Sequence, residues 1–434
     1  MIHNNFRRIV GAALVAVLSS ATVLVTPATA GGLLLYEVGT EDVALAAAGW
    51  SARAQDAATV LTNPAGMSFL EGTQILVGLQ GLYGNMPFSV RSGTSPGLGT
   101  KGGNPVGWFP GGGIFLTHNL SPKLTIGLAA TGNFGLSEEY DDDWAGRYYV
   151  QKATLLGISV LPAVSYRLSE SVSVGAALNA VYGGLDYRVA VNTITGPDGK
   201  LELEDTTWGY GVNLGLIYDP GAGTRVGLTY TSQVVLGFNA PARFSGLTAP
   251  LTTLLRARGL LDAAVGLGMR IPQTLMLSSL LPLSTDVNLL ASAGWQQWSR
   301  FGHVDVSVDS SDPTNLTTES QFKDTWHGAL GLQNKVSETW RVDLGVGYDS
   351  GFQEDGEISP ALPANSAWRF GLGVKSEPHP GFGWGVGFEY AYGGSLEVAK
   401  ESDVPVALGG RGNLVGAYEE TGMFFISGNL EWRF

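Results

Sequence analysis

The chain of 434 residues contains no cysteine. Disulfides, thiolate catalysis and cysteine-based metal sites are therefore excluded, and the fold must be held by other means. Charge is also scarce: Asp, Glu, Lys and Arg make up 15% of the residues, against about 25% in an ordinary soluble domain. Basic residues are outnumbered, 25 against 38, for a formal charge of −13. Such a chain is a poor nucleic-acid binder, because phosphate contacts need clustered Lys and Arg. Long apolar runs are missing as well. After residue 30 nothing resembles a membrane-spanning helix, which needs about 20 mostly apolar residues. Charge-free runs such as 171–185 and 271–285 are broken by Pro, Gly or polar residues. Little charge without helical spans points to a transmembrane β-barrel, whose strands bury only alternate side chains in lipid.

The N-terminus reads as a secretory signal peptide rather than an uncleaved anchor. Arg7 and Arg8 precede an apolar stretch from Ile9 to Val25, and Ala28-Thr29-Ala30 forms a small-x-small cleavage site before Gly31. Residues 1–30 hold two arginines and no acid, so the mature chain carries 23 basic and 38 acidic residues, a charge of −15.

Alternation is the main evidence for the barrel. Trp340, Val342, Leu344, Val346 and Tyr348 alternate with Arg341, Asp343, Gly345 and Gly347. A soluble sandwich shows the same period, but aromatics at both strand ends fit the girdles at the two membrane interfaces. Trp384 to Tyr392 repeats the pattern, and so does the stretch from Phe424 to the terminal Phe434, an ending of the kind read by the outer-membrane assembly machinery. The pattern predicts fourteen antiparallel strands: 73–90, 107–118, 123–135, 147–168, 171–190, 206–219, 224–240, 269–282, 285–298, 323–336, 339–349, 364–375, 382–394 and 420–434. The short polar turns between them fall on the periplasmic side and the longer loops outside the cell.

Residues 31–72 do not alternate. Glu41 to Thr59 is rich in alanine and reads as a small-residue helix, followed by a turn at Leu61–Met67. Such a segment is either a plug in the lumen or a periplasmic tail, and its low charge over 43–70, where Arg53 and Asp56 are the ionic residues, favours the plug. Asn63 can bond backbone groups and Pro64 fixes φ, which alone would make a simple turn.

The run Asp56-Ala-Ala-Thr-Val-Leu-Thr-Asn-Pro-Ala-Gly-Met67 resembles the hatch motif of the FadL family of outer-membrane transporters for long-chain fatty acids and aromatic hydrocarbons. Further matches follow in family order: Gly132-Asn133-Phe134-Gly135-Leu136 with Glu139-Tyr140 and Trp144–Tyr148, then Trp295–Phe301, Leu344–Asp349, Ile358-Ser-Pro360 and Leu362-Pro363. The resemblance covers nearly all of 31–434. It implies a hatch at 31–72, with Asn63, Pro64, Ala65, Gly66 and Met67 as its core, inside a barrel formed by 73–434. It implies a ligand-proximal N-terminus at Gly32, Leu33 and Leu35. It also implies a lateral opening where the third strand kinks at Gly132, Asn133, Phe134 and Gly135, so that a captured lipophile leaves sideways into the outer leaflet. On residues alone, relief of crowding in the barrel is the favoured reading of those glycines; the resemblance turns it to the opening. No nucleotide, metal or other cofactor is implied. The expected partners are a hydrophobic ligand, outer-membrane lipid and lipopolysaccharide, and the assembly machinery, with the barrel as a monomer.

The stretch from Asp186 to Asp205, a long loop in some fatty-acid carriers of the family, is short here. The next loop keeps Leu247, Leu251, Leu254, Leu255, Leu260 and Leu261 and is predicted to be helical around 252–264. Those leucines could line a capture groove or form the helix's packing face. Arg53, Arg147, Arg167, Arg188, Arg225 and Arg243 are candidates to meet a ligand carboxylate. The acidic run Glu138, Glu139, Asp141, Asp142 and Asp143 is either a solvated loop or a Ca²⁺ site. The histidines show no metal spacing and no nucleophile elbow is present, so enzyme chemistry is not expected. The competing readings are a general diffusion porin, or a structural or adhesive barrel.

Overall fold

The computed structural model describes residues 34–434 except 262, 302, 310–313, 320–321 and 355. Among the described residues, fourteen antiparallel strands close into a barrel. They are β1 (Thr73–Asn85), β2 (Gly107–Ser121), β3 (Leu124–Glu139), β4 (Lys152–Arg167), β5 (Val172–Val191), β6 (Gly199–Gly221) and β7 (Thr224–Thr231), then β8 (Thr274–Pro282), β9 (Val287–Gln296), β10 (Thr325–Lys335), β11 (Trp340–Asp349), β12 (Ala367–His379), β13 (Phe382–Lys400) and β14 (Leu414–Arg433). β14 returns to β1, with Gln74 opposite Arg433 and Asn85 opposite Gly422, which removes the sheet edges.

Burial inverts what a soluble barrel would show. Leu344, Phe370, Phe388 and Ile426 point outward and are exposed, whereas Ser165, Ser173, Thr229, Ser278, Ser427 and Glu389 point inward and are buried. That is the arrangement expected when lipid surrounds the wall and protein fills the lumen.

The segment filling the lumen is residues 34–70. Its predicted single helix is not found. A short helix at Thr40–Ala44 ends at once, and Ala46, Ala47, Gly49 and Ala54 all have positive φ. A continuous helix would hold the backbone away from the wall behind its side chains. Here the backbone itself touches inward-facing glycines: a Cβ built on Gly227 would overlap the Ser51 carbonyl, one on Gly345 the Leu45 backbone, and one on Gly175 the backbone of Pro64 and Ala65. Wall hydroxyls complete the seal. Ser292 Oγ donates to the Ala47 carbonyl (2.9 Å), Ser165 and Ser173 donate to the Ala65 carbonyl (3.0 Å each), and Thr229 donates to the Thr62 carbonyl (2.9 Å).

Two predicted strands, 224–240 and 269–282, are each broken in two. After Thr231 and before Thr274 the chain leaves the wall. Val234–Pro241 then pairs with Ala264–Ile271, joined by His303–Asp309 and Thr314–Glu319, in a separate four-stranded sheet. Pro272, which has no N–H to donate, sits at one break. Leu236 packs over Gly183 and Gly209 on the inner face of β5 and β6, so this sheet leans over the lumen. Further corrections are smaller. Residues 147–151 precede β4, and β13 and β14 extend to Lys400 and back to Leu414. The helix of the loop after β7 spans Ala249–Ala257 rather than 252–264.

Candidate ligand-binding site

The wall is interrupted beside β3. Pairing of β2 with β3 runs from Ser121–Leu124 to Gly113–Thr131 and stops there. Beyond it, Gly107–Gly112 pairs only with β1, and 132–139 pairs only with β4. At the same point Asn133 is an extra residue in the β3–β4 ladder: Gly132 lies opposite Ile158, and Phe134 opposite the next residue, Gly157. The bulge changes the parity of the strand. Thr125, Ala129 and Thr131 are buried on the odd register, then Phe134 and Glu138 on the even one. The free edge is met by the N-terminal segment, where Leu34 bridges Phe134 and the Leu35 N–H donates to the Asn133 carbonyl (3.1 Å). Above the window the Glu139 N–H donates to the Pro105 carbonyl (2.8 Å), which rejoins the two sides.

Inside the window lies a cavity of about 60 Å³. It is bordered by Leu34, Leu35, Tyr36 and Trp50 of the segment, by Phe134 and Val181 of the wall, and by Ile271 of the inner sheet. Next to it Trp298, Phe301, Phe322 and Phe352 stack on one another and on Phe134, extending the apolar surface toward the outside. The sequence reading missed this cluster. Its residues sit on loops without alternation, and only Trp298 and Phe301 stood in a motif.

Among the predicted site residues, Asn63 caps the short helix Pro64–Phe69. Its side chain accepts from the Ala65 N–H (3.0 Å) and donates to the carbonyls of Ser51 (2.7 Å) and Leu216 (3.2 Å). Pro64, Ala65, Gly66 and Met67 are buried around it, against β4, β5 and β6. This group holds the segment in place and lies apart from the cavity. Gly32 and Leu33 fall outside the described residues. Of the six leucines of the predicted loop, Leu254 is exposed and the other five are half-buried, and none borders the cavity. The acidic run is dispersed, with Glu139 facing Arg188, Asp142 facing Lys200, and Glu138 buried.

The six candidate arginines are all engaged away from the cavity. Arg53 pairs with Asp42, Arg147 with Asp198, Arg188 with Glu202, Arg225 with Asp219 and Arg243 with Glu204, while Arg167 donates to the Ser68 carbonyl. Cations the sequence reading did not single out do more. Arg369 serves Glu37, Glu389 (2.8 Å) and Asp349 (2.5 Å). Glu41 binds Arg341 (2.6 Å) and Lys375 (2.9 Å), and Lys375 also reaches Glu431 (3.0 Å). These two networks tie the segment to β11, β12, β13 and β14.

The second network, with Asp56 beside it, is expected to make docking of the segment pH-dependent. Burial raises the Glu41 pKa, but Arg341, Lys375 and Arg53 outweigh it and hold the group well below its ordinary 4.5. Its contribution is present above that value and is lost only in stronger acid. Half-buried Asp56 is pushed the other way, to about 6, by burial and by the carboxylates of Glu41 and Glu431, against Lys375 and Arg53. A raised carboxyl stabilises the docked form below its ordinary 3.8, and that contribution is lost as pH rises through about 6. Hydrogen exchange across residues 39–70, corrected for intrinsic rates, is therefore expected to show tighter docking at pH 5 than at pH 7.5. The difference should disappear in Asp56→Asn.

A family model described as "Outer membrane protein transport protein (OMPP1/FadL/TodX)" matches residues 21–432. A 47 kDa outer membrane protein of Pasteurella multocida is 28% identical, with 92% of this chain and 95% of that protein covered. A long-chain fatty acid transport protein of Escherichia coli is 24% identical, with coverage of 94% and 96%. Among solved structures, a FadL homologue of Pseudomonas aeruginosa superposes with a TM-score of 0.82 at 17% identity, covering 93% of this chain and 100% of that one. The toluene transporter TodX of Pseudomonas putida gives 0.67 at 15% identity, covering 92% and 99%. This Gram-negative outer-membrane barrel belongs to the OMPP1/FadL/TodX family of transport proteins.

Proposed function

We propose that this chain carries hydrophobic small molecules inward through the outer membrane, by capture on the extracellular side, passage through the cavity beside Leu34 and Trp50, and sideways exit between β2 and β3. The observation that carries this reading is the end of β2–β3 pairing at Gly113–Thr131, beside a bulged Asn133 that holds the N-terminal segment. A lipophile crossing a water-filled pore has to be hydrated. A lateral route keeps its surface dry, worth about 25 cal/mol per Å². The relatives named for fatty acid and toluene transport support the same ligand class. The cavity of about 60 Å³ is smaller than the ~150 Å³ that admits benzene. Loading therefore requires the 34–36 stretch or the inner sheet to shift, and residues 34–70 act as the movable hatch.

The test is uptake of labelled oleate and labelled toluene in a host lacking its own transporter, normalised to heat-modifiable barrel. Uptake of at least one, above an empty-vector control, is expected. Uptake of neither, with free passage of small hydrophilic solutes, would leave a porin instead.

A further inference from the structure

We infer that the cavity beside β3 is a site for an uncharged lipophile whose head group both donates and accepts hydrogen bonds, such as an alcohol or a primary amide, and that it selects against carboxylates. This rests on the cavity being a station for the carried ligand. A polar band crosses five consecutive strands at this level, one residue on each: Asn133 on β3, Ser159 on β4, Asn179 on β5, Asn213 on β6 and Thr229 on β7. All five border the cavity. The pairing keeps them in one belt, since Ser159 lies opposite Thr131, Asn179 opposite Gly211, Asn213 opposite Ala177, and Thr229 opposite Gly215.

The two ends of the band are satisfied within the protein. Ser159 donates to Asn133 Oδ1 (2.8 Å), and Thr229 bonds Ser51 Oγ (2.9 Å) and the Thr62 carbonyl. The middle is not. Asn179 and Asn213 are 4% and 1% exposed, and the Oδ1 of each is buried without a hydrogen-bond partner. Buried amides are normally satisfied, so an open pair facing a cavity marks a place for an outside group. A carboxamide offers both an acceptor and an NH₂ donor, so either orientation suits a hydroxyl or amide.

Charge decides the rest. Among the described residues, no charged one borders the cavity. Behind Tyr36 lie His327, paired with Asp349, and Arg369, one cation already shared by three carboxylates. A carboxylate placed here would lose its water without gaining a counter-ion. A pure hydrocarbon would leave both asparagines unpaired.

The test is a matched series binding to purified protein in amphipol at pH 8, read from tryptophan fluorescence, for which Trp50 lines the cavity. The probes are dodecanol, dodecanamide, dodecane and dodecanoate. Dodecanol and dodecanamide are expected to bind about tenfold or more tighter than dodecane and dodecanoate. The preference of dodecanol over dodecane should collapse in Asn179→Leu/Asn213→Leu while dodecane still binds. The wild-type series needs no variant to fold. Dodecanoate equal to dodecanol, dodecane equal to dodecanol, or a preference that survives in the double variant would each overturn this assignment and leave carriage of lipophiles standing. Binding of none of the four would overturn both.

Discussion

Replacing Gly227 and Gly345 together by alanine is expected to open the barrel to small hydrophilic solutes. Both glycines face the lumen, on β7 and β11, four strands apart in the wall, and the N-terminal segment lies directly against them. The atoms a new Cβ would meet are backbone, the Ser51 carbonyl and Leu45, and not the yielding end of a side chain. Overpacking of this kind costs about 1–3 kcal/mol per site. The two glycines lie on different strands, and if their costs add the docked segment shifts by about 30-fold or more, since each 1.4 kcal/mol is tenfold. The wall should tolerate alanine, because the strands need no special φ at either position. Single-channel recording in planar bilayers measures the effect: wild-type protein should be nearly closed and the double variant conductive, with heat-modifiability retained. A double variant as closed as wild type would mean that the segment does not depend on these contacts.

Arg369→Met should be the most damaging single substitution in the lumen. Arg369 is the cation for Glu37, Asp349 and Glu389, and Glu37 and Glu389 are each about 1% exposed at the side chain. Removing one partner of a buried ion pair costs about 3–5 kcal/mol, because a charge is left in a place that water does not reach. Here three carboxylates lose their shared partner at once. Methionine preserves most of the volume, so the loss is electrostatic rather than a cavity effect. Urea unfolding of the refolded barrel is expected to show the destabilisation, and adding Glu37→Gln and Glu389→Gln to the Arg369→Met variant should recover a large part of it. Failure of the triple variant to recover would point to packing instead.

The wall was legible because lipid demands strict alternation. The outward series at Trp340–Tyr348 and Trp384–Tyr392 marked β11 to within one residue and the start of β13, whose end at Lys400 lies six residues beyond the predicted 394. The same rule concealed the inner sheet. Apolar residues continue on even numbers from Val226 through Leu228 to Val234, Leu236 and Phe238, yet the first two face lipid and the last three are buried over the lumen. Alternation reports that one face is apolar, not whether lipid or protein covers it. The alanine-rich stretch misled for a related reason. Helix propensity is a weak prior, and contact with the glycine-lined wall overrode it. At the site, Asn133 stood out in a motif, whereas Asn179 and Asn213 did not. Their significance lies in adjacent registers and in missing partners, which exist only once the strands are paired. The arginines were visible as charges, but several of their acids, such as Asp198 for Arg147 and Glu37 for Arg369, lie far away in the chain.

Deletion of Asn133 tests sideways exit most directly. Without the extra residue, Thr131, Gly132 and Phe134 would follow ordinary alternation, the β3–β4 ladder would run on in one register, and the free edge of β3 could pair with β2. Uptake of labelled lipophile by this variant, at equal amounts of heat-modifiable barrel, is expected to fall to the empty-vector level. Uptake at the wild-type rate from a variant with the register closed would contradict exit through the wall.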